Sequence, residues 1–292
     1  MQFTKMHGLG NDYVYVNCFA EKIKDAARLS QLVSDRHRGI GADGLILIHP
    51  SEKADVRMQM FNADGSEAEM CGNGIRCVAK YSYEHDLAKA TKAFSIAGQE
   101  NPSLLSINVE TKRGILAVGL KISDKNKVEQ ICVNMGTPLL AAEQIPVKLK
   151  GDSVIDKPID IAGLELQFTA VSMGNPHAVF FCEDAKAIDL VTLGPIIENH
   201  PLFPKKINAH FVSIISEREF DMVTWERGSG ITQACGTGAC ACCVAAVLAT
   251  KCQRNCLAHL PGGDLELLWS EDDNCVYMTG PATEVFQGTW PE

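Results

Sequence analysis

Cys71-Gly72-Asn73-Gly74 returns 164 residues later as Cys235-Gly236-Thr237-Gly238. At the same spacing before each tetrapeptide, a strand-like run ends on an aromatic residue and a polar one, Phe61-Asn62 and Trp225-Glu226. Working outward, Gly10-Asn11 before an apolar run returns as Gly174-Asn175, and Gln2-Phe3-Thr4 returns as Gln167-Phe168-Thr169. A long period held at several landmarks predicts a duplicated domain. A pseudo-two-fold axis between the copies would let the two Cys loops face one cleft.

Strand-like runs recur at 13–17, 45–48, 56–61, 104–109, 115–122, 168–171, 178–181, 211–215, 222–225, 265–269 and 276–278. Gly, Pro, Asn and Asp separate them, which predicts mostly antiparallel pairing. Helical patterns cover 21–36, 72–87, 189–199 and 236–251. The last is apolar nearly all round, which places it inside a core. The fold class is therefore α+β.

The 292 residues suffice for two domains, and 46% hydrophobic against 22% charged residues is a globular composition. With 27 Lys+Arg against 36 Asp+Glu the formal charge is −9. No basic run interleaves with aromatics, so neither nucleic acid nor an anionic membrane is an expected partner. The opening MQFTKMHGLGND has no apolar stretch of the kind that marks a secretory signal. The run 234–250 is Ala, Cys, Gly and Thr, too short and weakly apolar for a membrane span. The expected location is the cytoplasm. Six of the twelve cysteines crowd into 235–256, mostly in a helical pattern, and read as small buried hydrophobes.

Gly39-Ile40-Gly41-Ala42-Asp43-Gly44 matches the spelling of a dinucleotide loop but not its context. That loop needs a strand before it and a helix after it, and here the order is inverted. Cys240 and Cys243 share a helical face without a second pair of ligands, so no metal site is expected. Cys71 and Cys235 differ in kind, because each precedes Gly-x-Gly and opens a helix. The positive helix end should lower a thiol's pKa, and the glycines let a carboxylate approach unpaired N–H groups. Two such thiols suit proton removal from one face of a carbon and return to the other, with the N–H groups stabilising the enolate-like charge. A hydrolase with His177 as base stays open.

These motifs resemble the diaminopimelate epimerase family. The resemblance runs through Met6-His7-Gly8-Leu9-Gly10-Asn11-Asp12, Phe61-Asn62-Ala63-Asp64-Gly65-Ser66, Cys71-Gly72-Asn73-Gly74-Ile75-Arg76-Cys77 and Ser172-Met173-Gly174-Asn175-Pro176-His177. It continues in Asn208-Ala209, Glu226-Arg227-Gly228-Ser229-Gly230, Gln233-Ala234-Cys235-Gly236-Thr237-Gly238, Leu260-Pro261-Gly262-Gly263 and Tyr277-Met278-Thr279-Gly280. Cys-Gly-x-Gly alone would also suit proline racemases and phenazine-pathway isomerases.

The resemblance implies a cofactor-independent epimerase interconverting LL- and meso-diaminopimelate, on the route to lysine and peptidoglycan. It implies two domains, each a mixed sheet around a central helix. One would be residues 1–120 with Cys71, completed by a C-terminal strand at 279–292, and the other 121–278 with Cys235. Cys71 and Cys235 become the acid/base pair, with His177 and Glu226 tuning them. Gly72, Asn73, Gly236 and Thr237 would hold the reacting carboxylate. Asn11, Asn62, Asn175, Asn208, Glu226 and Arg227 would hold the rest of the substrate, and Glu226-Arg227 suits its far ammonium and carboxylate. A homodimer is implied, with Tyr277 a candidate at the contact. Gly44 departs from family members with a glutamine there, which should loosen binding. A related racemase of other substrate class, and a thiol-based redox or binding protein, remain the alternatives.

Overall fold

The computed structural model describes residues 1–68 and 70–291. They divide into two compact units. The first is Met1–Asn134 together with the segment from Thr279, and the second is Met135–Met278. The first unit thus runs to Asn134, beyond the division expected at 120, because β9 continues its sheet.

The first unit contains β1 (Gln2–Gly8), β2 (Asn11–Asn17), α1 (Ala26–Ser34), β3 (Gly44–His49), β4 (Val56–Asn62), β5 (Glu67–Ala68) and α2 (Gly72–Glu84). It continues with β6 (Lys92–Ile96), β7 (Gln99–Thr111), β8 (Gly114–Ile122) and β9 (Val128–Asn134). The second contains β10 (Val154–Ile161), β11 (Leu164–Ser172), β12 (Pro176–Phe181), α3 (Leu190–Glu198), β13 (Asn208–Ser216), β14 (Glu219–Glu226) and β15 (Gly230–Ile231). There follow α4 (Gly236–Leu248), β16 (Asn255–Leu260), β17 (Gly263–Trp269) and β18 (Val276–Gly280), along which the chain leaves the unit; β19 (Thr283–Thr289) belongs to the first. Residue 292 of the expected strand 279–292 lies outside the described residues.

The duplication is visible in the pairing. In the first unit β1 and β2 are antiparallel, β2 and β3 parallel, β3 and β4 antiparallel, β4 and β7 parallel, and β7 and β8 antiparallel. The second repeats this with β11 to β14, β16 and β17. Even the register is kept: Tyr13 stands opposite Gly44, and His177 opposite Asn208. Each first strand also gains an antiparallel neighbour, β19 beside β1 and β10 beside β11.

Each unit has a helix on both faces of its sheet, which is why β3, Gly-Leu-Ile-Leu-Ile-His, is almost continuously apolar. Leu45 and Leu47 pack with Val33 of α1 on one face. Ile46 points to the other, where it lies against Gly74 of α2. Helix α4 is likewise surrounded by β11, β12, β13, β16 and β17. It is built of Gly, Ala, Cys and Thr with few larger residues, so strands approach closely from several sides.

The observed helices are shorter than the patterns at 21–36 and 189–199. Asp25 caps α1 by accepting from the Arg28 N–H, and Asp189 caps α3 by accepting from that of Thr192. The strands β1, β6, β9, β10 and β16 do not stand among the apolar runs of the sequence, and β19 is expected only from the resemblance. The side chains of β19 are largely exposed and those of β10 include Pro158, so neither carries a clean apolar alternation.

Candidate active site

In the first unit Cys71 is the residue before α2, extended at φ −132° and ψ 123°, and its sulfur accepts from the Gly74 N–H at 3.4 Å. The thiol donates to Asn11 Oδ1 at 3.5 Å, and Asn73 Nδ2 donates to the same oxygen at 3.2 Å. Asn11 is held from behind, its Nδ2 donating to Asp43 Oδ2 at 2.7 Å. Asp43 in turn accepts from Arg36 Nη2 at 2.9 Å, and Arg36 reaches Asp12 at 2.7 Å. Burial pushes the Asp12 carboxyl up, but hydrogen bonds and charge from Arg36 and Lys5 outweigh it and hold it below its ordinary value. Asn73 Oδ1 accepts from Arg76, a fully buried guanidinium that also donates to Gly72 O and Pro281 O. The structure therefore brings Asn11, Gly72, Asn73 and Cys71 together around the start of α2. Asn62 Nδ2 instead donates to Ser66 Oγ within the following turn.

In the second unit Cys235 precedes α4 in the same extended conformation, φ −116° and ψ 102°, and its sulfur is 3.6 Å from Thr237 Oγ1. Burial, then the Glu226 carboxylate, push this thiol well above its ordinary value, against the Thr237 hydroxyl and the nearby Gly238 N–H. The lowered pKa expected for both thiols is thus reversed for Cys235. A helix end cannot offset full burial beside a carboxylate. Glu226 Oε1 also accepts from Thr232 Oγ1 at 2.6 Å.

Asn175, the counterpart of Asn11, donates from Nδ2 to Thr237 Oγ1 at 3.3 Å and accepts at Oδ1 from His177 Nε2 at 2.9 Å. His177 Nδ1 lies 2.9 Å from His210 Nε2, and His210 Nδ1 lies 2.9 Å from Thr224 Oγ1. Both imidazoles are fully buried. Burial, then His210 and Arg227, push His177 well below the ordinary imidazole value, and burial pushes His210 down to about 3. Both rings are neutral near neutral pH. Asn208 Nδ2 donates to Pro176 O at 2.7 Å, and its Oδ1 accepts from the Arg227 N–H at 2.9 Å. The exposed Arg227 side chain donates to Lys205 O at 3.0 Å.

Asp43, Arg36, His210, Thr224 and Thr232 are the partners that the sequence reading missed. Their signal was the repeat itself: His210 and Thr224 stand where the first copy has Ile46 and Met60. A polar residue replacing an apolar one at a duplicated core position asks for a reason. Tyr277 is 4% exposed and its hydroxyl donates to Asp273 at 2.6 Å, so its polar end is engaged within its own unit. Among the described residues no group of His, Cys, Asp or Glu is arranged to hold a metal ion. Nor is any helix among them long and apolar enough to cross a membrane.

Solved structures of low sequence identity share this fold. A probable proline racemase of Agrobacterium radiobacter superposes with a TM-score of 0.66 at 14% identity, covering 99% of this chain and 92% of that one. A phenazine biosynthesis protein of Bacillus anthracis gives 0.65 at 14% identity, covering 99% and 98%. These likenesses define the fold, a pair of similar α+β units. Residues 3–140 and 169–285 match the family described as Diaminopimelate epimerase. Proteins of that name are 53% identical in Agathobacter rectalis, over 99% of this chain and 98% of that protein. In Acetivibrio thermocellus the identity is 50%, again over 99% and 98%. The chain belongs to the diaminopimelate epimerase family.

Proposed function

We propose that this enzyme interconverts LL- and meso-diaminopimelate without a cofactor, using Cys71 and Cys235 as its two acid/base groups. One observation carries the reading: the same thiol, helix start and neighbouring Asn occur twice, at the same positions of a duplicated fold. In one direction, one thiolate takes the α-proton and becomes a thiol. The opposite thiol gives its proton to the other face of the carbon and becomes the thiolate. The next turnover in that direction begins once the protons are exchanged with solvent. N–H groups of Gly72, Asn73, Gly236 and Thr237 would hold the carboxylate and the charge that develops beside it. Glu226, the carboxylate beside the Cys235 thiol, would tune it by accepting its proton. Glu226 and Arg227 suit the far ammonium and carboxylate, and Asn11, Asn62, Asn175 and Asn208 the remaining contacts. The domain assignment, a homodimer and a cytoplasmic location belong to the same proposal.

The deciding experiment supplies pure LL-diaminopimelate in deuterated water with no added cofactor. The meso isomer should form with deuterium at the inverted carbon. No turnover on diaminopimelate, with turnover on a proline derivative or a phenazine precursor, would move the enzyme to a neighbouring family. No turnover on any of these would leave a thiol-based binding or redox protein.

A further inference from the structure

We propose that His210 is a positioning residue for the Cys235 thiol. Backed by Thr224, its imidazole orders His177, Asn175 and Thr237 into one directed hydrogen-bond chain that leaves the Thr237 hydroxyl donating to the sulfur. The inference rests on Cys235 being an acid/base group of the reaction.

The direction follows from what each group can give and accept. A carboxylate only accepts, and Glu226 does so from the Thr232 hydroxyl on one oxygen. The Cys235 thiol faces that carboxylate, so its proton points there and its sulfur lone pairs are left for a donor. Thr237 Oγ1, 3.6 Å away, is that donor, because its own acceptor position is taken by Asn175 Nδ2 at 3.3 Å. With its Nδ2 so used, Asn175 presents Oδ1 to His177, whose Nε2 must carry the proton. A neutral His177 is then unprotonated at Nδ1 and requires a donor there, which is His210 Nε2–H at 2.9 Å. The bare Nδ1 of His210 accepts from Thr224 Oγ1, also at 2.9 Å.

Every link has one orientation, and no member is left with two donors or two acceptors face to face. In the first unit the equivalent Asn11 is held differently, by the Asp43 carboxylate. Tyr13, Ile46 and Met60 occupy the positions of His177, His210 and Thr224, so the fold does not itself require a polar chain there. His210 is also fixed by contact: a Cβ on Gly238 would come within 2.3 Å of its Cε1, so the ring lies directly on the first turn of α4. Cys235 is otherwise faced by Glu226 and Gly238, and His177 by the Arg227 charge.

The test reads the thiol directly. The rate of Cys235 alkylation by iodoacetamide is followed across the alkaline pH range, by mass spectrometry of the Cys235 peptide, beside the pH profile of kcat. His210→Leu should move the alkylation midpoint upward and slow alkylation below it by about tenfold, the size of one hydrogen bond to an ionised group. It should lower kcat more than it raises KM. His210→Gln, whose amide N–H can still donate to His177, should recover part of the loss. Thr224→Val should move the midpoint the same way by less, and it carries the test if His210→Leu does not fold. In a Thr237→Val background the His210 or Thr224 replacement should add nothing further. An unmoved midpoint in folded His210→Leu or Thr224→Val, or shifts that add fully to that of Thr237→Val, would overturn the chain. A shifted thiol in an enzyme that still epimerises as Cys235→Ala would leave the chain standing and remove the two-thiol reading.

Discussion

The imidazole of His210 occupies the space that a side chain on Gly238 would need, since a Cβ there would lie 2.3 Å from Cε1. In the first unit the equivalent Cβ on Gly74 would meet chiefly flexible tips, Ile46 Cδ1 at 2.8 Å and Met58 Cε at 3.1 Å, with Cys71 Cβ at 3.4 Å. A flexible aliphatic tip can turn aside, and an imidazole hydrogen-bonded on both nitrogens cannot. Gly238→Ala should therefore cost about 1–3 kcal/mol by overpacking, and more than Gly74→Ala, as read from urea unfolding. Equal losses would show that His210 is not held in place.

Cys71→Ala and Cys235→Ala should each abolish epimerisation in a protein that remains folded, because each face of the carbon needs its own proton carrier. Cys77, Cys240 and Cys242 are fully buried and lie beyond the first residue of their helices. Their replacement by Ala should leave kcat nearly intact while lowering stability. The comparison is made by the deuterium-exchange assay and by thermal unfolding. A Cys71 or Cys235 variant that keeps most of its rate ends the two-thiol reading.

The duplication and the two thiols were legible because they are local and repeated: a four-residue loop, a strand end ten residues before it, and a turn before an apolar strand. The partners of the thiols were harder to see because their meaning depends on pairing. His210 is one residue in the middle of a strand, and the parallel register of β12 and β13 puts it beside His177. Asp43 lies in a glycine-rich run whose spelling draws attention to the glycines, yet its carboxylate is what holds Asn11. Burial also escaped the sequence: the helix start was visible, but the enclosure of Cys235 beside Glu226, which reverses its expected shift, was not.

Gly44 is a closed position. A Cβ there would meet Phe61 O at 2.1 Å and Tyr13 Cε1 at 2.9 Å, and the first of these is backbone that cannot turn aside. Introducing the family's amide by Gly44→Gln should therefore displace β3 from β4 and lower stability. It should not tighten substrate binding. Unfolding and KM are measured together. A stable variant with lower KM would show that Gly44 is a lost contact and that this backbone can open to admit one.

The two buried imidazoles set a pH dependence of stability. An unfolded chain protonates its histidines near pH 6.5, and folded His210 does so only at about 3. Between these values the unfolded state holds more protons, so stability rises with pH. His210 contributes fully above about pH 6.5, and its contribution is lost as the pH falls through that window. His177, shifted the same way, adds to it. The expected slope is up to about 1.4 kcal/mol per pH unit for each ring, steepest before the carboxylates titrate. Urea unfolding at a series of pH values measures it, and a flat profile through the mildly acidic range would mean that the rings are not held neutral.

Arg227 separates anchoring from stability. Its side chain is exposed and donates to a backbone carbonyl, Lys205 O, while Asn208 holds its backbone N–H. A surface residue of this kind contributes within about 0.5 kcal/mol of nothing to folding, so Arg227→Ala should unfold like the parent. If its guanidinium grips the far carboxylate of the substrate by two parallel bonds, kcat/KM on diaminopimelate should fall by well over about tenfold, since charged hydrogen bonds contribute roughly 1.5–3 kcal/mol. Arg227→Lys should recover only part of this, because an ammonium cannot supply the planar fork. Asn208→Ala should lower kcat/KM less than Arg227→Ala and stability more, since buried Asn208 makes two bonds that Arg227 does not replace. A loss under about threefold for Arg227→Ala is no more than an exposed ion pair explains, and would place the far carboxylate elsewhere.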